Sequence, residues 1–233
     1  MVKKKDLKKN KTEEGIVAFE EALSKSEKFI EKNQKVLTII VSSIIVIVLA
    51  YFGYNKFYLA PLDKEAKSQI FMAESYFQND SIEKALYGDG NYLGFIDIID
   101  EYGATKSASI ANYYAGLCFM KKGDFETAIH HLKKYKGDDM MVSSMAIGVI
   151  GDAYIELNNP EKAVNYYLQA ANNHVNDFLT PAFLLKAGWA YEKLGEYDKA
   201  LRNYKRIKDK FNKSYESRDI EKYITRAENK SKS

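Results

Sequence analysis

Proline and cysteine are both scarce in this chain of 233 residues: three prolines and one cysteine. A lone Cys118 cannot close an internal disulfide, so a disulfide-stapled scaffold is excluded. So few prolines, with 13 glycines, argue against a loop-rich β-sandwich and for long helices. The motifs of common chemistries are missing as well. There is no Cys-x-x-Cys, no His-Glu-x-x-His, no glycine-rich phosphate loop and no Gly-x-Ser-x-Gly. His130 and His131 are adjacent, so on a helix they point about 100° apart and cannot clamp one metal as an i, i+4 pair does. Asp89 and Asn91 resemble the start of a calcium loop, but the bidentate Glu and the other ligands are missing. The expectation is no enzyme, no cofactor and no metal. Cys118, inside an expected helix, reads as packing.

The net charge of +3 lacks weight until it is divided. Residues 1–35 carry 10 lysines against 7 acids, and residues 36–60 carry only Lys56. Residues 61–233 carry 24 basic and 25 acidic groups. A nearly neutral main body is a poor match for the phosphate backbone, so no nucleic-acid partner is expected.

Charge disappears altogether from Val36 to Tyr54, VLTIIVSSIIVIVLAYFGY. Nineteen helical residues span roughly 28 Å, close to the roughly 30 Å hydrocarbon core of a bilayer. Thr38, Ser42 and Ser43 can bond back to helix carbonyls. Tyr51, Tyr54, Phe57 and Tyr58 form an aromatic belt at one end. The competing reading, a buried core helix, fits a run of this length poorly. A cleaved signal peptide fits poorly too, because both the leader and the apolar run are long for one. The expectation is an uncleaved anchor over 36–58 in a lipid bilayer. A lysine-rich tail over 1–35 would stay in the cytosol, with residues 61–233 on the far side of the cytoplasmic membrane. In the tail, Ile16, Phe19, Leu23, Phe29 and Ile30 recur at helical spacing, and Ser24 with Glu27 forms a capping-box pattern. The tail reads either as an amphipathic docking element or as a solvated leader.

The remainder repeats. A small residue is followed three positions on by an aromatic four times: Ala73 and Tyr76, Gly116 and Phe119, Gly151 and Tyr154, Gly188 and Tyr191. Twelve residues after each small residue comes an alanine: Ala85, Ala128, Ala163 and Ala200, spaced by 43, 35 and 37 residues. The last two spacings lie near the 34-residue period of tetratricopeptide repeats. Antiparallel helices that cross closely need small residues at the crossing, so each glycine is expected to meet the alanine of its partner helix. Turns are expected at Lys122-Gly123-Asp124, Asn158-Asn159-Pro160 and Leu194-Gly195-Glu196, with Pro160 and Pro181 opening helices after Asn and Thr caps. In the first unit, Gly88-Asp89-Gly90-Asn91 reads as an inserted loop followed by a restarted helix. Ile220, Tyr223, Ile224 and Ala227 form the stripe of a capping helix, which a solenoid needs over its last apolar face. The fold class is all-α: one N-terminal transmembrane helix, then about four tetratricopeptide-like repeats over 61–229 with a C-terminal cap, and a disordered tail at 230–233.

In such repeats the first helices line one face. Projecting the register onto it selects Ile70, Phe71, Phe77, Tyr113, Tyr114, Leu117, Met120, Val149, Ile155, Leu185 and Trp189. The functional reading is a groove for an extended or helical segment of a partner protein. The competing reading, residue by residue, is packing between repeats. Trp189 is the strongest single candidate, because Trp is over-represented in binding hot spots.

The lysine-rich tail, EKFIEKNQK leading into one apolar helix, the YFGYNKFY belt and the repeat domain together resemble the YfgM family. GDGNYLGFIDIIDEYG followed by ANYYAGLCFMKKGDFETAI is similar to its Bacteroidetes-type members. The resemblance implies an ancillary subunit of the SecYEG translocon in the inner membrane. It also implies a membrane-anchored periplasmic prolyl-isomerase-type chaperone and exported polypeptides as partners. The alternative is a structural scaffold for envelope assembly or division that never touches translocating chains.

Overall fold

The computed structural model describes residues 3–232, with side chains described for Glu27 and from Phe29 onward. The chain divides into two compact units, one ending at Tyr58 and one beginning at Leu59.

The first unit is a single helix, α1, Lys3–Tyr54. It is long and apolar enough to cross a membrane, and none of its most apolar stretch is buried within the protein. Thr38 Oγ1 donates to the Gln34 carbonyl at 2.8 Å, the back-bonding that makes a hydroxyl tolerable in an apolar helix. Tyr54 and Tyr58 stack with centroids 5.2 Å apart. Because α1 is unbroken from Lys3, Ser24 lies inside it and not at a helix start, which corrects the capping-box reading of Ser24 and Glu27. The side chains of Ile16, Phe19 and Leu23 lie outside the described residues. A π-helical turn, Asn55–Leu59, follows. It precedes Pro61, whose missing N–H breaks the α-helical ladder at this point.

The second unit begins with α2 (Ala60–Gln78), α3 (Ile82–Tyr87) and α4 (Phe95–Glu101). Three long pairs follow: α5 (Lys106–Lys122) with α6 (Phe125–Lys134), α7 (Met140–Glu156) with α8 (Pro160–Asn173), and α9 (Leu179–Lys193) with α10 (Tyr197–Lys210). A 3₁₀ turn, Glu216–Asp219, leads to α11 (Ile220–Ser231). Each helix packs chiefly on its neighbours in the chain, and α2 touches α5, α5 touches α7 and α7 touches α9. That is the contact pattern of a solenoid. Ile220, Ile224 and Ala227 of α11 are buried against the last pair, with Tyr223 packed beside them, as a cap requires. The helix continues through Lys230 and Ser231, residues assigned above to the terminal tail. Ser233 lies outside the described residues.

One turn recurs in all four units. Asp80, Gly123, Asn158 and Gly195 all have positive φ. The next N–H reaches back to the aromatic carbonyl in each case: Ser81 to Tyr76, Asp124 to Phe119, Asn159 to Tyr154 and Glu196 to Tyr191, at 2.8–3.0 Å. This is a Schellman close, which satisfies carbonyls at the end of the first helix. Asp124 then accepts from Thr127 N and Asn159 from Lys162 N, so the turn that ends one helix also caps the next. Thr180, by contrast, is no cap. α9 begins one residue before it, with Asn176 Oδ1 accepting from Phe178 and Leu179 N, and Pro181 is its third residue. The helix opens earlier because Asn176 meets its first N–H groups.

The alanines Ala85, Ala128, Ala163 and Ala200 are fully buried. The glycines do not chiefly face them, however. A Cβ on Gly151 would fall 2.7 Å from the Tyr167 ring, and one on Gly188 only 2.2 Å from the Tyr204 ring. On Gly116 it would meet Leu132 at 2.6 Å, with the Ala128 carbonyl behind. The partner is the residue one turn beyond each alanine, because a helical side chain leans towards the N-terminus and covers the preceding turn. The expectation is corrected on this point.

Candidate protein-binding groove

The face formed by the first helices is built from α2, α5, α7 and α9. Its α2–α5 end is aromatic. Phe77 meets the Tyr114 ring edge-on at 5.5 Å, and Tyr114 stacks on Phe95 at 5.3 Å. Tyr114 also touches Tyr113, and both Tyr114 and Met120 pack against the cores on either side of α5. Ile70 and Tyr113 are buried in this packing. Burial, with Tyr114 and Tyr135 adding to it, pushes the Tyr113 phenol up to about 12. Phe77, Tyr114, Leu117, Met120, Val149, Ile155 and Leu185 are half-buried. Phe71 and Trp189 stand out at 68% and 43% exposure. The structure therefore divides the eleven residues into two buried spacers, seven partly covered walls and two prominent side chains.

A pocket of about 280 Å³ opens between α7 and α9. Ile155, Trp189 and Ala190 form its apolar wall, Tyr167 its floor, and Asp152, Lys186 and Lys193 its polar edge. The polar edge is pre-arranged. Lys186 Nζ lies 2.8 Å from both oxygens of Asp152, and Tyr167 Oη donates to Asp152 Oδ1 at 2.7 Å. Burial and the Asp152 carboxylate hold the Tyr167 phenol protonated far above its ordinary range. Lys186 bridges successive repeats, so this one contact ties α9 to α7 across 34 residues. Trp189 is braced from behind by Tyr223 of the capping helix, edge-on at 5.9 Å.

Several residues escape the sequence projection. Gly148 sits where Phe183 of the next repeat crosses, so close that a Cβ would fall 2.0 Å from the ring. Ile110, Met140, Met141 and Met145 are exposed on α5 and α7. The methionines are readable as apolar positions, but only the start of α7, set by the Asp139 cap, places them on the surface. Asp89 has three donors in place of a calcium ion: Tyr76 Oη at 2.7 Å and the N–H groups of Asn91 and Tyr92 at 2.9 Å. Cys118 is fully buried, and burial pushes its thiol up to about 12, so it packs rather than reacts. Among the described residues no three His, Cys, Asp or Glu side chains converge as a metal site.

Comparison with known proteins follows the same lines. The tetratricopeptide-repeat model matches residues 149–215, from the middle of α7 to just beyond α10. Among solved structures, a crystal structure of MamA protein aligns with a TM-score of 0.52 at 18% identity, covering 72% of this chain and 92% of that one. A kinesin light chain with nearly identical repeats, from Podospora anserina, aligns at 0.53 and 13% identity, covering 73% and 88%. At such identities the likeness concerns the fold, which is a tetratricopeptide-like solenoid. No curated protein matches the chain.

Proposed function

We propose that this chain is a membrane-anchored protein-binding module whose first-helix face receives a segment of a partner polypeptide. The observation that carries the reading is the α7–α9 pocket, where an exposed Trp189 stands braced beside an apolar wall and a fixed ion pair. A braced aromatic next to a small apolar pocket is the anatomy of a binding hot spot. Tetratricopeptide-like repeats generally serve as interaction surfaces, and the apolar stretch of α1, none of it buried within the protein, has the length to hold one at a bilayer.

In its finer form the reading makes residues 1–35 a cytosolic tail, 36–58 the span and 61–229 a periplasmic repeat domain. The chain would then be an ancillary subunit of the SecYEG translocon that hands exported chains to a membrane-anchored prolyl-isomerase-type chaperone. The family resemblance of the tail, belt and glycine-rich loop supports this. Capture of the full chain from mild detergent is expected to recover translocon subunits, and Trp189→Ala to reduce the recovery of exported chains at least about tenfold. Recovery of neither translocon nor isomerase defeats the finer reading, and stable envelope partners without export crosslinks favour the scaffold. A C-terminal reporter active only in the cytosol defeats the periplasmic assignment.

A further inference from the structure

The groove leaves unexplained a larger cavity elsewhere in the repeat domain. About 630 Å³ in volume, it lies between the α4–α5 turn, the first turns of α5 and the end of α6. Four lysines line it, Lys106, Lys133, Lys134 and Lys136, and no carboxylate does. Elsewhere in this unit eight lysines and arginines have carboxylate partners, yet none of these four is in an ion pair among the described residues.

A bland account covers only half the cluster. Lys133 and Lys134 end α6, where cations suit the negative pole of the helix, and Lys133 also lies 5.7 Å from the Tyr166 ring. Lys106 has no such excuse. It is the first residue of α5, at the positive pole; the acid at that end, Asp63, accepts from Ser107 N and Oγ at 2.9 Å and pairs with Lys67 rather than with Lys106. Lys136 follows α6 in an irregular segment tied to α5, its N–H donating to Ser109 Oγ at 2.7 Å. Lys134 also acts on a neighbouring side chain. Burial, then His130, then Lys134 drive His131 down to about 4, while Asp100 opposes them.

The rest of the lining narrows the ligand. Ser109 Oγ already accepts from Lys136, which leaves its hydrogen to donate. Asn112 is engaged on both sides: its amide donates to the Ala108 carbonyl and its oxygen pairs with His131 Nδ1, each at 3.0 Å. The side chains that line the cavity thus bring four cationic donors and a hydroxyl, with no carboxylate among them. A phosphate group, all of whose oxygens can accept, suits such a lining better than a peptide, half of whose backbone polar groups are donors.

We propose that this cavity binds a phosphate-bearing anion through Lys106, Lys134 and Lys136, with Ser109 as a hydroxyl donor. The source is either a soluble phosphate compound or an anionic lipid headgroup. The test uses the full chain in phosphate-free maltoside micelles, titrated calorimetrically with inorganic pyrophosphate. Saturable binding is expected, weakened more than about tenfold in Lys106→Gln/Lys134→Gln/Lys136→Gln, since each charge-assisted bond carries about a factor of ten or more. The triple variant Lys64→Gln/Lys213→Gln/Lys222→Gln removes equal charge from exposed lysines outside the cavity and is expected to leave binding unchanged. Competition by phosphatidic acid added to the micelles identifies the headgroup as a source, and its absence leaves the soluble one. No saturable binding, equal weakening in both triple variants, or tighter binding of a poly-glutamate peptide than of pyrophosphate would overturn the proposal.

Discussion

The first and last helix pairs solve one problem with opposite chemistry. In the α7–α8 and α9–α10 pairs, a tyrosine from the second helix lies over a glycine of the first and donates to a carboxylate on that first helix. Tyr167 reaches Asp152 at 2.7 Å, and Tyr204 reaches Glu192 at 2.9 Å. In the first repeat, α2 with α3, the position one turn beyond the alanine is Asp89, and the tyrosine, Tyr76, sits on the first helix. Donor and acceptor have changed sides, while the bond between the two segments survives. The exchange has a structural counterpart: Asp89 lies in a loop between α3 and α4, because Gly88 at φ +75 ends the helix early. The α5–α6 pair does without the bond, placing Leu132 over Gly116. What stays constant across the four units is the turn; what varies is how the second helix is fastened.

Replacing the glycine beneath the tyrosine breaks this contrast most sharply. Gly188→Ala puts a methyl group 2.2 Å from a fully buried ring and should cost roughly 3 kcal/mol, seen as a lowered denaturation midpoint. The matching change in the first unit, Ala73→Gly, should cost about 1 kcal/mol by helix propensity, more with the methyl lost. Acid sharpens the contrast for the middle pair. His131 titrates near 4 in the fold against about 6.5 when unfolded, so the unfolded chain takes up the proton first. Stability is therefore full above about pH 6.5 and is lost as the pH falls towards 4. The loss is about 2 kcal/mol after screening, and it disappears in His131→Gln. Tyr204→Phe should cost about 1–2 kcal/mol, with Glu192 still held by Arg226 at 2.7 Å. Tyr76→Phe, on an exposed bond, should scarcely move the midpoint. The smallest effect runs the other way: Asn158→Gly, at φ +52, should stabilise by a few tenths of a kcal/mol.

These contrasts also mark what was readable beforehand. Small residue, aromatic, turn and alanine were legible because they obey spacing within one helix pair. So was the stripe Ile220, Ile224 and Ala227. The contact of Gly148 with Phe183 was not, since it joins side chains 35 residues apart whose meeting depends on how one pair rotates onto the next. The same rotation buried Ile70 and Tyr113 while leaving Phe71 and Trp189 outside. The side chains over Gly116, Gly151 and Gly188 are Leu132, Tyr167 and Tyr204 rather than the alanines for a narrower reason: the lean of helical side chains shifts a contact by one turn. The lysine cavity gave no local signal, because Lys106 is separated from Lys133 by the whole of α5 and most of α6.

The Lys186–Asp152 pair has a mechanical consequence. A repeat array is a spring, and its stiffness at each coil depends on what joins neighbouring first helices. Between α5 and α7 the joint is apolar, made by Tyr113, Ala146 and Ile150. Between α7 and α9 it includes an ionic latch beside the Trp189 pocket. Added salt should soften the second coil and leave the first unchanged. Hydrogen exchange along α9 is expected to quicken with ionic strength while that along α5 does not.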